Sequence, residues 1–170
     1  MKRFLFLTIT IIINIMAIPV LASATSIDTA RAKMVASQFY STVATQPLRG
    51  EPVIAYQATC TIGERNVVPC FYVMNMGSEG FVIVSADDCA KPVLGYSTEG
   101  AFNPAQIPVG LHDMLEGYRQ EIGRAISQQH QATEEVAAEW AAIDQPQRST
   151  RAVVVAPLIA TKWNQGLYFN

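Results

Sequence analysis

Two hydrophobic periods run along this chain, preceded by a largely apolar stretch. Lys2 and Arg3 open it, Phe4 to Ile18 is apolar except for Thr8, Thr10 and Asn14, and Pro19 interrupts the run. Ala22-Ser23-Ala24 then supplies the small residues of a cleavage site, so residues 1–24 read as a secretory signal peptide cut after Ala24. The run is short for a spanning helix, which needs about 20 apolar residues. Beyond it, Ala32, Val35, Ala36, Phe39 and Val43 fall on one stripe of a helix, with Ser26 or Thr29 as its cap and Pro47 to Pro52, around Gly50, as its end. The period then shortens. Val53 to Cys60, Val67 to Met76, Phe81 to Ala86 and Val93 to Ser97 read as strands, and Gly77-Ser78-Glu79-Gly80 as a hairpin loop. Pro69 inside the second of these runs predicts an edge or a bulge there.

Helical spacing returns after Pro108, which suits a first turn. Leu111, Met114, Leu115, Tyr118, Ile122 and Ile126 form the apolar stripe, with Glu116, Arg119, Gln120, Glu121 and Arg124 largely off it. A shorter helix is expected from about Thr133 to Ile143, with Val136 and Trp140 opposed to Glu134, Glu135 and Glu139. Helix, successive strands, then helices is an α+β order: a small antiparallel sheet packed with helices. The run Val67–Met76 should pair antiparallel with Phe81–Ala86, and the Leu111–Ile126 stripe should pack on that sheet. Asp144 to Arg151 is polar, carries a proline and has no apolar period, so it reads as an exposed linker. Val153-Val154-Val155, Pro157-Leu158-Ile159 and the aromatics Trp163, Tyr168 and Phe169 follow, like the first strand of another unit. The expected organisation is therefore a signal (1–24), one domain (25–143), a linker (144–152) and the start of something further (153–170).

Composition narrows the function. The 170 residues carry 12 basic and 14 acidic side chains, a formal charge of −2 that becomes −4 once Lys2 and Arg3 leave with the signal. With no basic stripe to follow a phosphate backbone, nucleic-acid binding is excluded. The signal is of bacterial style and no cysteine lies near the cut, which places the processed chain in the periplasm or outside the cell rather than on a lipid anchor. Cysteines can be oxidised there. Cys60, Cys70 and Cys89 read first as small hydrophobes packed in or near the sheet; a Cys60–Cys70 bridge across a hairpin is the alternative, leaving Cys89 unpaired. Cys89 makes a poor nucleophile, because the carboxylates of Asp87 and Asp88 oppose thiolate formation.

Nothing assembles an active site. A cysteine or serine peptidase needs a nucleophile, a histidine base and a group that orients the base. His112 and His130, the two histidines, read as solvated residues at the ends of one helix. His112-Asp113 and His130 with Glu134-Glu135 lack a placed third metal ligand, and Asp87-Asp88 is explained by a turn as well as by a cation. No metal or cofactor is expected.

Three blocks carry a resemblance. Phe71-Tyr72-Val73-Met74-Asn75, Gly80-Phe81-Val82-Ile83-Val84-Ser85-Ala86-Asp87 and Leu94-Gly95-Tyr96-Ser97, in this order and spacing, resemble the propeptide of streptopain-type cysteine peptidases and the Spi-type inhibitors similar to it. Met114-Leu115, Tyr118 and Ile122 are similar to the helix that follows in those propeptides. Val155-Ala156-Pro157-Leu158-Ile159 and Trp163-Asn164-Gln165 resemble the opening of the mature enzyme.

The resemblance implies a domain that packs over a peptidase cleft and keeps the enzyme silent until export. The plug would be the stretch Asn103, Pro104, Ala105, Gln106, Ile107, Pro108, Val109, Gly110, and removal would follow cleavage in the linker Arg148, Ser149, Thr150, Arg151. Gln165 matches the glutamine that donates to the oxyanion during acyl transfer, but it has no role here, because the family's segments bearing the nucleophilic cysteine and base histidine are absent. The chain is thus expected to be no enzyme on its own. It reads as the propeptide region of a truncated peptidase, or alternatively as a free-standing secreted inhibitor of a partner enzyme. Its partner in either case is the catalytic domain of a streptopain-like cysteine peptidase.

Overall fold

The computed structural model describes residues 25–145 apart from 46, 47 and 49. Its elements are α1 (Thr29–Val43), β1 (Val53–Ile62), β2 (Asn66–Asn75), β3 (Phe81–Ser85), β4 (Val93–Ser97), α2 (Val109–Ser127) and α3 (Glu134–Asp144). The four strands form one antiparallel sheet in the order β1-β2-β3-β4, so every connection joins neighbours. The fold is α+β, with α1 and α3 on one face of the sheet and α2 on the other.

This layering explains the nearly continuous apolar character of β2 and β3. A strand covered on both faces has no side to leave polar. Tyr72, Met74, Val82 and Val84 point into a core shared with Ala32, Val35, Ala36 and Tyr40 of α1 and Val136 and Trp140 of α3. Phe71, Val73 and Ile83 point the other way, toward Leu115 and Ile122 of α2. The period of two thus survives as a choice between two cores instead of core against water. The hairpin forms as expected: Met74 stands opposite Val82, the Met76 N–H donates to the Gly80 carbonyl at 2.9 Å, and Gly77 takes a φ of 73° that favours glycine. On β2 the register with β1 skips Cys70, a bulge directly beside Pro69.

Several local expectations are corrected. The cap of α1 is Asp28, not Ser26 or Thr29: its carboxylate accepts the Arg31 N–H at 2.7 Å. Ser26 is unavailable because it pairs in extended conformation with Asp87. On α1 the deeply buried aromatic is Tyr40, while Phe39 and Val43 pack only partly. On α2, Met114 is exposed although it lies on the apolar stripe, and Pro108 is the residue before the helix and not in its first turn. The cysteines are not three free hydrophobes. Cys60 and Cys70 form a disulfide between β1 and β2, and Cys89 is free. The bridge lies against α2, where Gly123 leaves room for it: a Cβ there would stand 3.0 Å from the Cys60 Cβ.

The end of α3 is fastened back to α1. Trp140 donates its indole N–H to the Ala90 carbonyl at 2.9 Å, and the Arg31 guanidinium sits over its ring while pairing with Asp144 at 2.9 Å. Among the described residues no helix is long and apolar enough to cross a membrane.

Candidate functional site

The segment between β4 and α2 is held at both ends and exposed between them. Phe102 is its first anchor. The residue is 6% exposed, and its ring meets Phe81 and Tyr56 at centroid distances of 5.7 and 6.0 Å. Its backbone is clamped by one side chain at the end of β2: the Asn75 amide donates to the Phe102 carbonyl at 3.0 Å, and the Phe102 N–H donates to the Asn75 carbonyl oxygen at 2.8 Å. An amide is the one side-chain type that reproduces this peptide-like pairing without charge.

From that anchor the chain turns outward. Asn103 shapes the turn, its side-chain oxygen accepting the Ala105 N–H at 3.0 Å and its backbone carbonyl accepting the Gln106 N–H at 3.1 Å. Asn103, Pro104, Ala105 and Gln106 are exposed, whereas Ile107 returns to the core beside Leu111 and forms the second anchor. Pro108 then leads into α2, so Val109 and Gly110 belong to the first helical turn and not to the loop proper. Val109 is 78% exposed. A hollow of about 300 Å³ lies under the segment, lined by Phe81, Phe102, Ile107 and Leu111 among others. An exposed turn of four residues, fixed by an aromatic on one side and an isoleucine on the other, loses little freedom when inserted into a partner.

Charged groups flank the surface along α2. His112 and Asp113, both exposed, stand 3.6 Å apart at its start. One turn further, Glu116 accepts two hydrogen bonds from Arg119 and one from Gln120. Those bonds hold the Glu116 carboxyl down at about 2 and raise the Arg119 guanidinium.

The remaining candidates for chemistry have structural partners. Asp87 is buried and accepts the Cys89 N–H at 2.9 Å, while Asp88 accepts the Thr25 N–H at 2.7 Å. Cys89 is half-buried, and its thiol is pushed up to about 12, first by burial, then by its hydrogen bond to Asp87 and the charges of Asp87 and Asp88. Sequence reasoning reached the same direction from the carboxylates alone; the larger cause, burial, needed the fold. His112 and His130 are both exposed. Among the described residues no three His, Cys, Asp or Glu side chains converge as metal ligands. The signal (1–24), the linker residues Arg148, Ser149, Thr150 and Arg151, and Gln165 lie outside the described residues.

The Asn75 clamp escaped sequence reasoning. An asparagine at the end of a strand reads as turn chemistry, and nothing in the sequence ties it to a backbone 27 residues away.

Comparison with known proteins gives a concordant picture. A family model described as Spi protease inhibitor matches residues 24–122. Over 109 residues the chain is 29% identical to the Thiol protease/hemagglutinin PrtT of Porphyromonas gingivalis, which covers 59% of this chain and 12% of that protein. The chain thus corresponds to a small part of the length of that relative. No solved structure matches.

Proposed function

The chain belongs to the Spi protease inhibitor family, and we propose that its domain docks over the active-site cleft of a streptopain-like thiol peptidase and holds that enzyme silent. The observation that carries this reading is the anchored, outward-facing turn Asn103–Gln106, flanked by the exposed Val109 and the charged start of α2. A plug must present an exposed segment that the target cannot easily pull into an extended, cleavable strand. The Asn75 clamp, the burial of Phe102 and the packing of the half-buried Ile107 resist that extension.

Inhibition is a matter of coverage, so the domain needs no chemistry of its own. A thiol peptidase works through a thiolate and an imidazole; this domain offers a thiol held up at about 12 beside Asp87 and two exposed histidines on α2 and at its end. We assign it no peptidase activity. Export follows from the leader, with cleavage after Ala24. The polar linker Arg148–Arg151 suits a processing protease by its composition, and the stretch Val153–Gln165 behind it favours action in cis, since an inhibitor acting in trans has no use for it. The same surface remains available to a separate peptidase in trans, at a cost in effective concentration.

The test is titration of residues 25–170 against a mature streptopain-type peptidase, with cleavage of unfolded protein as readout. Inhibition that weakens when Asn103–Gln106 is replaced by a glycine-serine turn, with the thermal midpoint unchanged, is the expected result. No inhibition at high micromolar protein overturns the proposal.

A further inference from the structure

We propose that the Ala24–Thr25 bond is a processing site with a built receiver: the α-ammonium group that cleavage creates on Thr25 is held as an ion pair by Asp88, fastening residues 25–27 to the end of β3. This rests on the reading of residues 1–24 as an export signal. The geometry stands independently of it. The Thr25 backbone nitrogen lies 2.7 Å from Asp88 Oδ1. The Asp88 N–H donates back to the Thr25 carbonyl at 3.2 Å, Ser26 pairs antiparallel with Asp87, and the Ile27 N–H donates to the Ala86 carbonyl at 2.8 Å. Residues 25–27 therefore lie as a short strap along residues 86–88.

Hydrolysis changes what that nitrogen can do. Water adds across the amide: the C–N bond breaks, Ala24 leaves as a carboxylate, and Thr25 keeps a protonated amine. A neutral N–H with one donor becomes a cation with three, at the position already closest to a carboxylate. The Asp88 carboxylate already makes this bond charge-assisted, and the ammonium adds the direct attraction of an ion pair and two further donors. The surroundings suit a cation. Asp87 and Asp88 face the strap from the turn after β3, and Asp28 follows on the strap's own segment. The other titratable groups packed near are the Cys89 thiol on that turn and the Tyr72 phenol of β2, which donates to the Ile27 carbonyl at 3.1 Å. The guanidinium of Arg31 is engaged with Asp144.

The strap matters because of what it positions. Ile27 is 2% exposed within the core between α1 and the sheet, and Asp28, the next residue, caps α1. Fixing Thr25 holds the register of both, so the new charge strengthens a packing arrangement that the uncleaved chain already has.

Residues 25–170 released from a fusion with a free Thr25 amine supply the reference protein. The comparisons are the same protein acetylated on Thr25, which keeps the N–H and removes the charge, the D88N variant, which keeps an acceptor and removes the charge, and the two combined. At pH 6 and low salt, each single change should lower the thermal midpoint by about 2–5 °C, with no further loss in the combination. By NMR the Thr25 amine should titrate above the ordinary range of about 7.7–8.0 and return to it in D88N. Its folded pKa is raised, so the stabilisation is present below the ordinary value and disappears as pH rises through the folded one. Additive losses, or an amine that titrates ordinarily in the reference protein, overturn the ion pair. N-terminal sequencing of the exported protein checks the cut: a start at Thr25 supports it and any other start overturns the processing site. Neither readout depends on inhibition, so failure of the inhibitor reading is seen separately.

Discussion

Replacing Asn75 with alanine isolates the clamp that holds the exposed turn. The substitution removes both hydrogen bonds to Phe102, at 3.0 and 2.8 Å, and leaves that residue's N–H and carbonyl without their partner at a position that is 6% exposed. A hydrogen bond contributes about 1 kcal/mol net, and a buried polar group left unpaired costs about 1–3 kcal/mol. Water entering the space vacated by the amide offsets part of this, so we expect a loss of about 2–3 kcal/mol. Urea unfolding of residues 25–170 should show a lower midpoint at unchanged slope. The Phe102 amide should also exchange with solvent faster than amides in the centre of β2, because the clamp protects it locally. Asn75→Asp should be as damaging or worse, since the carboxylate keeps the acceptor for the Phe102 N–H but turns an oxygen toward the Phe102 carbonyl. If the plug is pre-organised by this clamp, inhibition should fall by more than the unfolded fraction explains. A loss below about 0.5 kcal/mol in Asn75→Ala with unaltered exchange at Phe102 would refute the reasoning, placing the energy of the turn elsewhere.

Two glycines of α2 should respond in opposite directions. Gly117→Ala meets nothing within 4 Å and should raise stability by up to about 1 kcal/mol through helix propensity, whereas Gly123→Ala drives its Cβ to 3.0 Å from the disulfide-bound Cys60 and should lower it, as thermal melts of the pair will show. Removing the bridge in a Cys60→Ala, Cys70→Ala double variant opens a loop closed across a separation of 10 residues and should cost about 2–3 kcal/mol in denaturant titrations. Cys89, with its thiol at about 12, should react with iodoacetamide at pH 8 far more slowly than free cysteine, and mass spectrometry after timed quenching will measure it. Glu116 has a folded pKa lowered to about 2, so its stabilisation is present above the ordinary carboxylate range and is lost as pH falls toward 2; Glu116→Gln should therefore lower the melting temperature at pH 6 and make little difference near pH 2.

Pattern alone determined most of the elements in this chain. Stripes at helical spacing from Ala32 and from Leu111, apolar runs separated by Gly77 and Gly80, and Thr133 ahead of an acidic first turn are local signals, and helices and hairpins are local structures. The antiparallel pairing of β2 with β3 followed because a four-residue loop between two apolar runs turns the second back along the first. What the local signals could not carry was anything linking distant residues. The Asn75–Phe102 clamp, the Trp140–Ala90 bond, the Asp88–Thr25 contact and the room that Gly123 leaves for the disulfide each join elements far apart in sequence.

The same division holds for the cap of α1 and for the cysteines. Ser26, Asp28 and Thr29 are all acceptable caps by type, and only the pairing of Ser26 with Asp87 and the burial of Ile27 leave Asp28 in position. Spacing permits a Cys60–Cys70 bridge without requiring it; the β1–β2 register, shifted by the bulge at Cys70, brings the two sulfurs together. On the candidate surface, the sequence marked residues 103–110 as a connection, but exposure at Gln106, partial burial at Ile107 and a helix beginning at Val109 are properties of packing. A side chain's type states what it can bond. Which partner it meets is set by the fold, since the free energy of each contact depends on water being excluded from that place at the same time.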